Sequence, residues 1–174
     1  MLKKINKYTM QEHNLYNNIL LLSRNKLFYT KFNLADTFQN RIHLIFIHVS
    51  FLFAKIKHDN NKNIYRDFYQ KIFDLIFVKI ELNMREIGHG DVTVNKNMKS
   101  LVKIFYDILL NCEKFRKKNL KEKINFFSKY LEQNLDQKNP NNKLLINYFD
   151  KYEAFCFDLS SNSVLKGDID FNYE

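Results

Sequence analysis

Two of the chain's three glycines lie two places apart in Gly88-His89-Gly90-Asp91, a run whose residue types can bind phosphate or a metal ion. A phosphate loop needs a preceding strand and a Lys-Ser or Lys-Thr pair directly behind its glycines. Here the preceding residues have helical spacing, and no such pair directly follows. We therefore interpret Gly88 and Gly90 as a structural turn. Gly88 is predicted to be the left-handed residue that ends one helix, Gly90 to allow a second sharp turn, and Asp91 or Thr93 to cap the next helix.

The histidines show no arrangement typical of a metal centre. No pair is four residues apart and no His-Glu-x-x-His sequence occurs, whereas a zinc ion needs three or four convergent ligands. They are His13, His43, His48, His58 and His89. The cysteines, Cys112 and Cys156, lie far apart without ligand spacing, which favours packing roles in a reducing compartment. We expect neither a metal nor a cofactor.

Four polar residues, Arg41, His48, Glu86 and Asp91, have the types that acid–base catalysis uses. Ion pairs and hydrogen bonds between helices explain the same residues equally well. Arg41 lies on a segment that is apolar nearly all round, and a buried guanidinium requires an acidic partner. We therefore expect Arg41 to pair with Asp91 or Glu86, and His48 to be a hydrogen-bonded core histidine. The predicted protein is not an enzyme.

Apolar residues recur mostly at helical spacing, and only three glycines and one proline interrupt the chain. The pattern predicts helices near residues 10–28, 36–58, 62–87, 94–118, 120–135 and 142–158, with a loose, flexible tail over about 160–174. The fold class is all-α, a single-domain bundle of about six helices spanning residues 1–174. A chain of this length buries a core without disulfide support.

Two segments bear on location. Residues 1–14 carry basic side chains without a following apolar run, so we expect no secretory signal. The most apolar stretch, residues 44–54, has eleven residues, whereas a membrane-spanning helix needs about 20. We expect a buried helix there and a cytoplasmic protein.

The formal net charge of +9 favours anionic partners such as nucleic acid, the ribosome or an acidic lipid surface. The helix predicted near 94–118 has its apolar residues on one side and its lysines on the other. Such a charged side is most often simply solvated, and a docking face is the alternative. The candidate basic docking face comprises Lys96, Lys99, Lys103, Lys114, Arg116 and Lys117.

Two segments of the chain resemble the ubiquinol–cytochrome c chaperone family, whose members assist the assembly of respiratory complex III. In residues 28–57 the similar positions are Phe28, Tyr29, Asp36, Thr37, Arg41, Ile47 and His48. In residues 73–107 they are Arg85-Glu86-Ile87-Gly88-His89-Gly90-Asp91, Val94, Lys96, Phe105 and Tyr106. Gly167 and Phe171 are similar to a glycine and a phenylalanine near the family's C-terminus. The resemblance covers about residues 25–171.

The chain departs from the family pattern at four positions. Asn40 stands where a glycine is expected and Ile42 where a phenylalanine is expected. Asn95 replaces a proline or glycine, and Asp107 replaces a glycine after the Phe-Tyr pair. The last two bear on local helix geometry.

The resemblance implies a non-enzymatic helical chaperone that binds and shields newly made cytochrome b, near the ribosome and with a small co-chaperone. It transfers no client-binding residue to this chain. From their placement we predict a client-binding or structural network of Asp36, Arg41, His48, Arg85, Glu86 and Asp91. We expect the protein to lie in the cytoplasm, at the inner face of the cytoplasmic membrane.

The alternative hypothesis is a basic ribosome- or RNA-binding helical module without enzymatic activity. The net charge of +9 and the lysines of the predicted fourth helix favour it. No recognisable nucleic-acid-binding motif supports it.

Overall fold

The computed structural model describes residues 8–57, 62–134 and 142–173, apart from the side chains of Lys62 and Ile64. Three predictions concern residues outside these ranges. They are the predictions for residues 1–7, for His58 and for the helical state of residue 135. The described residues are mostly helical and contain no strand, only one antiparallel bridge between Leu34 and Gln133. The prediction of an all-α fold is confirmed.

All six predicted helices are present, and two short helices accompany them. In chain order the helices are α1 (Met10–Ser23), α2 (Leu27–Thr30), α3 (Phe38–Lys57), α4 (Lys62–Glu86), α5 (Asp91–Glu113), α6 (Leu120–Tyr130), α7 (Asn142–Asp158) and α8 (Ser161–Lys166). A 3₁₀ turn, Phe115–Lys117, follows α5 and accounts for the end of the helix predicted to reach residue 118.

Single polar side chains set helix ends that the apolar pattern misplaced. The helix predicted near 10–28 ends at Ser23, because Asn25 Oδ1 accepts a hydrogen bond from the Leu27 amide at 3.0 Å and starts the turn into α2. The next long helix starts late because Thr37 Oγ1 accepts a hydrogen bond from the Asn40 amide at 3.1 Å. This bond caps the amino end of α3.

The corner between α4 and α5 is a Schellman turn. Gly88 has a φ of +96°, and the amides of Gly88 and His89 donate to the carbonyls of Arg85 and Met84. Gly90 has a φ of −71° and a ψ of 160°, which any residue can adopt, and it is itself the N-cap of α5. The prediction that Asp91 or Thr93 provides this cap is wrong, because α5 begins at residue 91.

Helix α3 lies at the centre of the molecule and packs against α1, α4, α5 and α7. Its residues Phe46 and Ile47 are fully buried. The Phe46 ring lies 5.4 Å from the Phe77 ring of α4 and 5.3 Å from the Phe105 ring of α5. These contacts hold α4 and α5 beside each other on one side of α3.

The C-terminal segment is packed and not loose. Residues 161–166 form α8, and the rings of Phe171 and Tyr173 lie 5.4 and 5.1 Å from the buried ring of Tyr148. The prediction of a loose tail over about 160–174 is therefore wrong for the described part of that segment. Its aromatic residues pack from irregular backbone, which leaves no helical periodicity to detect.

Within the described ranges, no helix combines the length and the apolar character needed to cross a bilayer.

An aromatic groove as the candidate functional site

An open groove of about 510 Å³ lies between α3, α4 and α5. Its floor is aromatic and consists of Phe53, Tyr69, Phe73 and Phe105, and the half-exposed ring of Tyr106 forms part of a wall. The rings of Phe53 and Tyr69 lie 4.7 Å apart, and those of Phe73 and Phe105 lie 5.1 Å apart. Because these contacts hold the lining side chains against one another, the groove is preformed.

The rim of the groove carries polar side chains on both sides. They are Lys57, Asn63, Arg66, Gln70 and Glu113. Lys57 Nζ lies 2.7 Å from Glu113 Oε2, so these two charges offset each other. Arg66 is exposed and forms no ion pair with any described residue. The described side chains of the rim therefore carry an excess positive charge.

The candidate basic docking face is divided between α5, which carries Lys96, Lys99 and Lys103, and the segment after it, which carries Lys114, Arg116 and Lys117. Lys99 and Lys103 precede Tyr106 by seven and three residues, which places all three on the same side of the helix. All six members of the face are exposed. Arg116 is engaged within the protein, since it pairs with Glu153 at 3.3 Å and lies 4.7 Å from the centre of the Phe157 ring. The docking role of this face stays a prediction.

Arg41 forms a surface ion pair at the start of α3. Its Nε and Nη2 atoms donate to the two carboxylate oxygens of Asp36 at 2.7 and 2.9 Å. The hydrogen bond from Arg41 lowers the pKa of Asp36. The side chains of Arg41 and Asp36 are 48% and 52% exposed. The prediction that a buried Arg41 pairs with Asp91 or Glu86 is wrong, because this end of α3 faces solvent.

Arg85 joins the end of α4 to the start of α5. Its guanidinium pairs with Glu81 at 3.1 Å on the same helix and with Asp91 across the corner. Glu86 is exposed and forms no ion pair with the described residues. The predicted network thus divides into separate pairs, and a client-binding role for its members stays a prediction.

His48 is fully buried at the centre of the molecule. Its Nδ1 lies 2.7 Å from the Leu44 carbonyl oxygen, and its Nε2 lies 2.8 Å from Tyr148 Oη. Because a carbonyl oxygen only accepts, Nδ1 carries the proton and Nε2 accepts from the tyrosine hydroxyl. Burial lowers the pKa of His48 to about 4, so the ring is neutral near pH 7. This is the geometry of a hydrogen-bonded core histidine.

A second cavity, of about 400 Å³, lies between α3 and residues 128–133. His43 borders it, with Nδ1 donating to the Tyr130 carbonyl and Nε2 buried without a partner among the described residues. Nearby, Asp107 accepts hydrogen bonds from Lys129 and the Tyr130 hydroxyl, which lower the pKa of Asp107. The described residues contain no cluster of three or more His, Cys, Asp or Glu side chains that could hold a metal ion.

The sequence placed most of the groove's aromatic residues on apolar helix faces but did not show that a groove opens there. Helical spacing reports which residues face inward, not whether neighbouring helices close over them. Tyr106, which is 52% exposed, is part of the resemblance to the family and is also a wall of the groove. Neither cavity follows from a recognisable motif.

The described residues thus define a class of all-helical protein, a bundle with an open aromatic groove on its surface. The family model described as ubiquinol-cytochrome C chaperone matches residues 30–171, and the chain belongs to this family. The resemblance found in the sequence is confirmed, and the match supports a chaperone of complex III assembly.

A solved structure shares the fold. The crystal structure of the Cbp3 homolog from Brucella abortus is 22% identical and superposes with a TM-score of 0.77, covering 93% of this chain and 88% of that chain. No curated protein matches the chain.

Proposed function

We propose that this protein is an assembly chaperone for respiratory complex III whose client is the cytochrome b subunit. The family match over residues 30–171 carries the proposal. The chaperone acts by binding the newly made client and covering its apolar segments, and it performs no catalysis. A small co-chaperone joins it in this task.

The groove supplies the surface for this activity. Its aromatic floor offers apolar area to an incoming segment, and each Å² removed from water contributes about 25 cal/mol. Tyr106 is half exposed, so part of the contact area is uncovered in the chaperone alone. The charged side chains of the rim interrupt the apolar surface around the groove. This interruption keeps the free protein from aggregating.

The lysines of the candidate basic docking face would favour association with an anionic membrane. Lys96, Lys99 and Lys103 are exposed and form no ion pair with described residues. Near an anionic membrane each lysine contributes about 1 kcal/mol of attraction, which salt screens. We place the protein in the cytoplasm, peripheral at the inner face of the cytoplasmic membrane, where its groove meets an emerging client.

Deletion of the gene from its own cell tests the proposal. We expect complex III and spectroscopically detected cytochrome b to fall together, and other respiratory complexes to stay at normal amounts. Complementation with wild type should restore both quantities. Normal cytochrome b accumulation in the deletion strain would remove the proposal.

The exposed lysines also favour the alternative function of a ribosome- or RNA-binding module. Replacing Lys96, Lys99 and Lys103 by glutamine separates the two functions. A ribosome- or RNA-binding protein should lose binding to purified ribosomes or RNA and lose its salt dependence. For a chaperone that works through the groove, the same variant should still restore a substantial part of complex III.

A further inference from the structure

The walls of the groove restrict the conformation of what can bind there. Among the described residues, every one that lines the groove lies within α3, α4 or α5. Apart from the terminal turns of each helix, the backbone amides and carbonyls of these helices already bond within the helix. The described walls therefore offer mainly side chains, and they contain no strand edge with which an extended peptide could pair.

This restriction distinguishes two kinds of peptide occupant. An extended segment would bury its peptide groups against aromatic rings without hydrogen-bond partners, which is unfavourable. An α-helix satisfies its own peptide groups and presents apolar side chains on one side. A volume of about 510 Å³ with an open mouth admits several large side chains while the helix axis stays outside.

The charged side chains of the rim favour a negative charge on the bound helix. Lys57 and Glu113 neutralise each other across one part of the rim, at 2.7 Å. Arg66 lies one turn before Tyr69 and Gln70 on α4, is exposed, and has no ion-pair partner among the described residues. A carboxylate on the bound helix, one turn beyond its apolar side chains, would complement this guanidinium.

We propose that the groove between α3, α4 and α5 binds an apolar α-helical segment of the client that carries a carboxylate against Arg66. This inference rests on the proposed function for the source of the helix. The recognition itself depends only on the aromatic floor, the helical walls and the rim charge.

The first test uses the purified full-length protein and designed peptides, so that it does not depend on the client's identity. A labelled helical peptide has Leu and Phe at positions i, i+3, i+4 and i+7 and one glutamate a turn later. A second peptide has a central proline that breaks the helix, and a third has glutamine for glutamate. Fluorescence anisotropy should show binding of the first and at least about tenfold weaker binding of the proline peptide.

Two protein variants locate the binding. Tyr106→Glu, at a half-exposed wall position, should weaken binding by at least about tenfold. Leu120→Glu is the matched control, since Leu120 is 53% exposed on α6, outside the groove lining, and should leave binding unchanged. The melting temperature of each variant shows that both are folded.

Arg66→Gln tests the charge. Wild type should prefer the glutamate peptide over the glutamine peptide by about fivefold at low salt, the scale of a partly exposed ion pair. In Arg66→Gln this preference should vanish, as expected for a direct pair in a double-mutant cycle. An equal preference in both proteins would overturn the assignment of the carboxylate to Arg66.

Further outcomes separate this inference from the proposed function. Equal binding of the helical and proline peptides would overturn a helical occupant even if gene deletion removes complex III. Tighter binding of a fluorescent fatty acid, abolished by Tyr106→Glu, would overturn it in favour of an acyl chain. Selective binding of the helical peptide, with normal complex III in the deletion strain, would support the groove assignment and reject the cytochrome b client.

Discussion

At the residue scale, the three glycines have different physical roles. Gly88 needs a left-handed backbone, with a φ of +96°, but a Cβ added there meets nothing. Gly90 needs neither a special backbone nor space. Gly167 needs both, since its φ is +78° and an added Cβ would lie 2.7 Å from the Leu15 amide nitrogen of α1. Backbone conformation and packing therefore give separate expectations for each substitution.

Gly167→Ala should be strongly destabilising. The new methyl group would collide with the backbone of α1, which cannot yield as a flexible side chain can, and the left-handed backbone adds strain. We expect a loss of at least about 2 kcal/mol in the free energy of unfolding, measured by urea denaturation. A change within about 0.5 kcal/mol would contradict the packing of the C-terminal segment on α1.

Gly88→Ala should cost about 1 kcal/mol, because only the left-handed backbone is strained. Gly90→Ser is the control at the same corner. Its backbone is extended, and a serine at this N-cap can accept a hydrogen bond from the first turn of α5, so its melting temperature should stay unchanged or rise. Equal losses in both variants would argue against the Schellman turn.

His48 makes stability depend on pH in a defined direction. Its pKa is about 4 in the folded protein and 6.5 when unperturbed, so the unfolded chain binds the additional proton first as pH falls. The stability from a neutral His48 is fully present above pH 6.5 and is lost towards pH 4, by up to about 3 kcal/mol.

His48→Gln provides the matched control for that dependence. The variant should be less stable at pH 7, by about 1–3 kcal/mol, because the bonds to Leu44 and Tyr148 are disturbed. Its stability should fall less than that of wild type between pH 6.5 and 4.5, the remainder coming from groups such as His43, whose pKa burial also lowers. Parallel pH profiles for the two proteins would show that His48 does not titrate as described.

The roles of individual residues could be predicted from the sequence where the role depends only on the neighbouring residues. A histidine on an apolar helix needs internal partners, and His48 has them. A glycine after an apolar helical run indicates a left-handed end, and Gly88 has that conformation. Arg41 was misjudged because the apolar pattern of α3 does not show that its first turn, beside Asp36, lies at the surface.

At the scale of elements, helical periodicity was enough to locate six helices but not their ends. The ends depend on single hydrogen bonds such as those of Asn25 and Thr37. The short helices α2 and α8 have too few residues to show a period. The groove was not predictable because it arises from the spacing between α3, α4 and α5, which depends on side chains from all of them.

Asn40 connects separate elements in a way that the sequence did not indicate. It is fully buried near the start of α3, donates to the carbonyls of Ala35 and Glu132 at 2.7 and 2.8 Å, and accepts from the Glu132 amide at 2.9 Å. The asparagine, at a position where the resemblance led us to expect glycine, therefore provides hydrogen bonds to the segment after α6.

Asn40→Ala should cost about 2–3 kcal/mol, because it removes three hydrogen bonds to Ala35 and Glu132 that a fully buried side chain makes. Thermal or urea denaturation measures this loss. Gln39→Ala, at the exposed neighbouring position, should change stability by less than about 0.5 kcal/mol. Equal effects at the two positions would contradict the described bonds.

At the scale of the whole molecule, the described surface gathers three features on one side. Arg66 lies on the rim of the aromatic groove, and Lys99 and Lys103 lie two turns and one turn before the groove residue Tyr106 on α5. The buried polar residues instead serve the interior, as His48 and Asn40 do. Family membership indicates the kind of process, and this surface indicates where a client would be held.

The most direct test is the amount of cytochrome b that co-purifies with tagged protein from its own cell. Wild type and the Leu120→Glu control should capture equal amounts of newly labelled cytochrome b. Tyr106→Glu, expressed at the same level, should capture at least about tenfold less. Equal capture by Tyr106→Glu, or no cytochrome b with wild type, would contradict the account of a chaperone that holds cytochrome b in this groove.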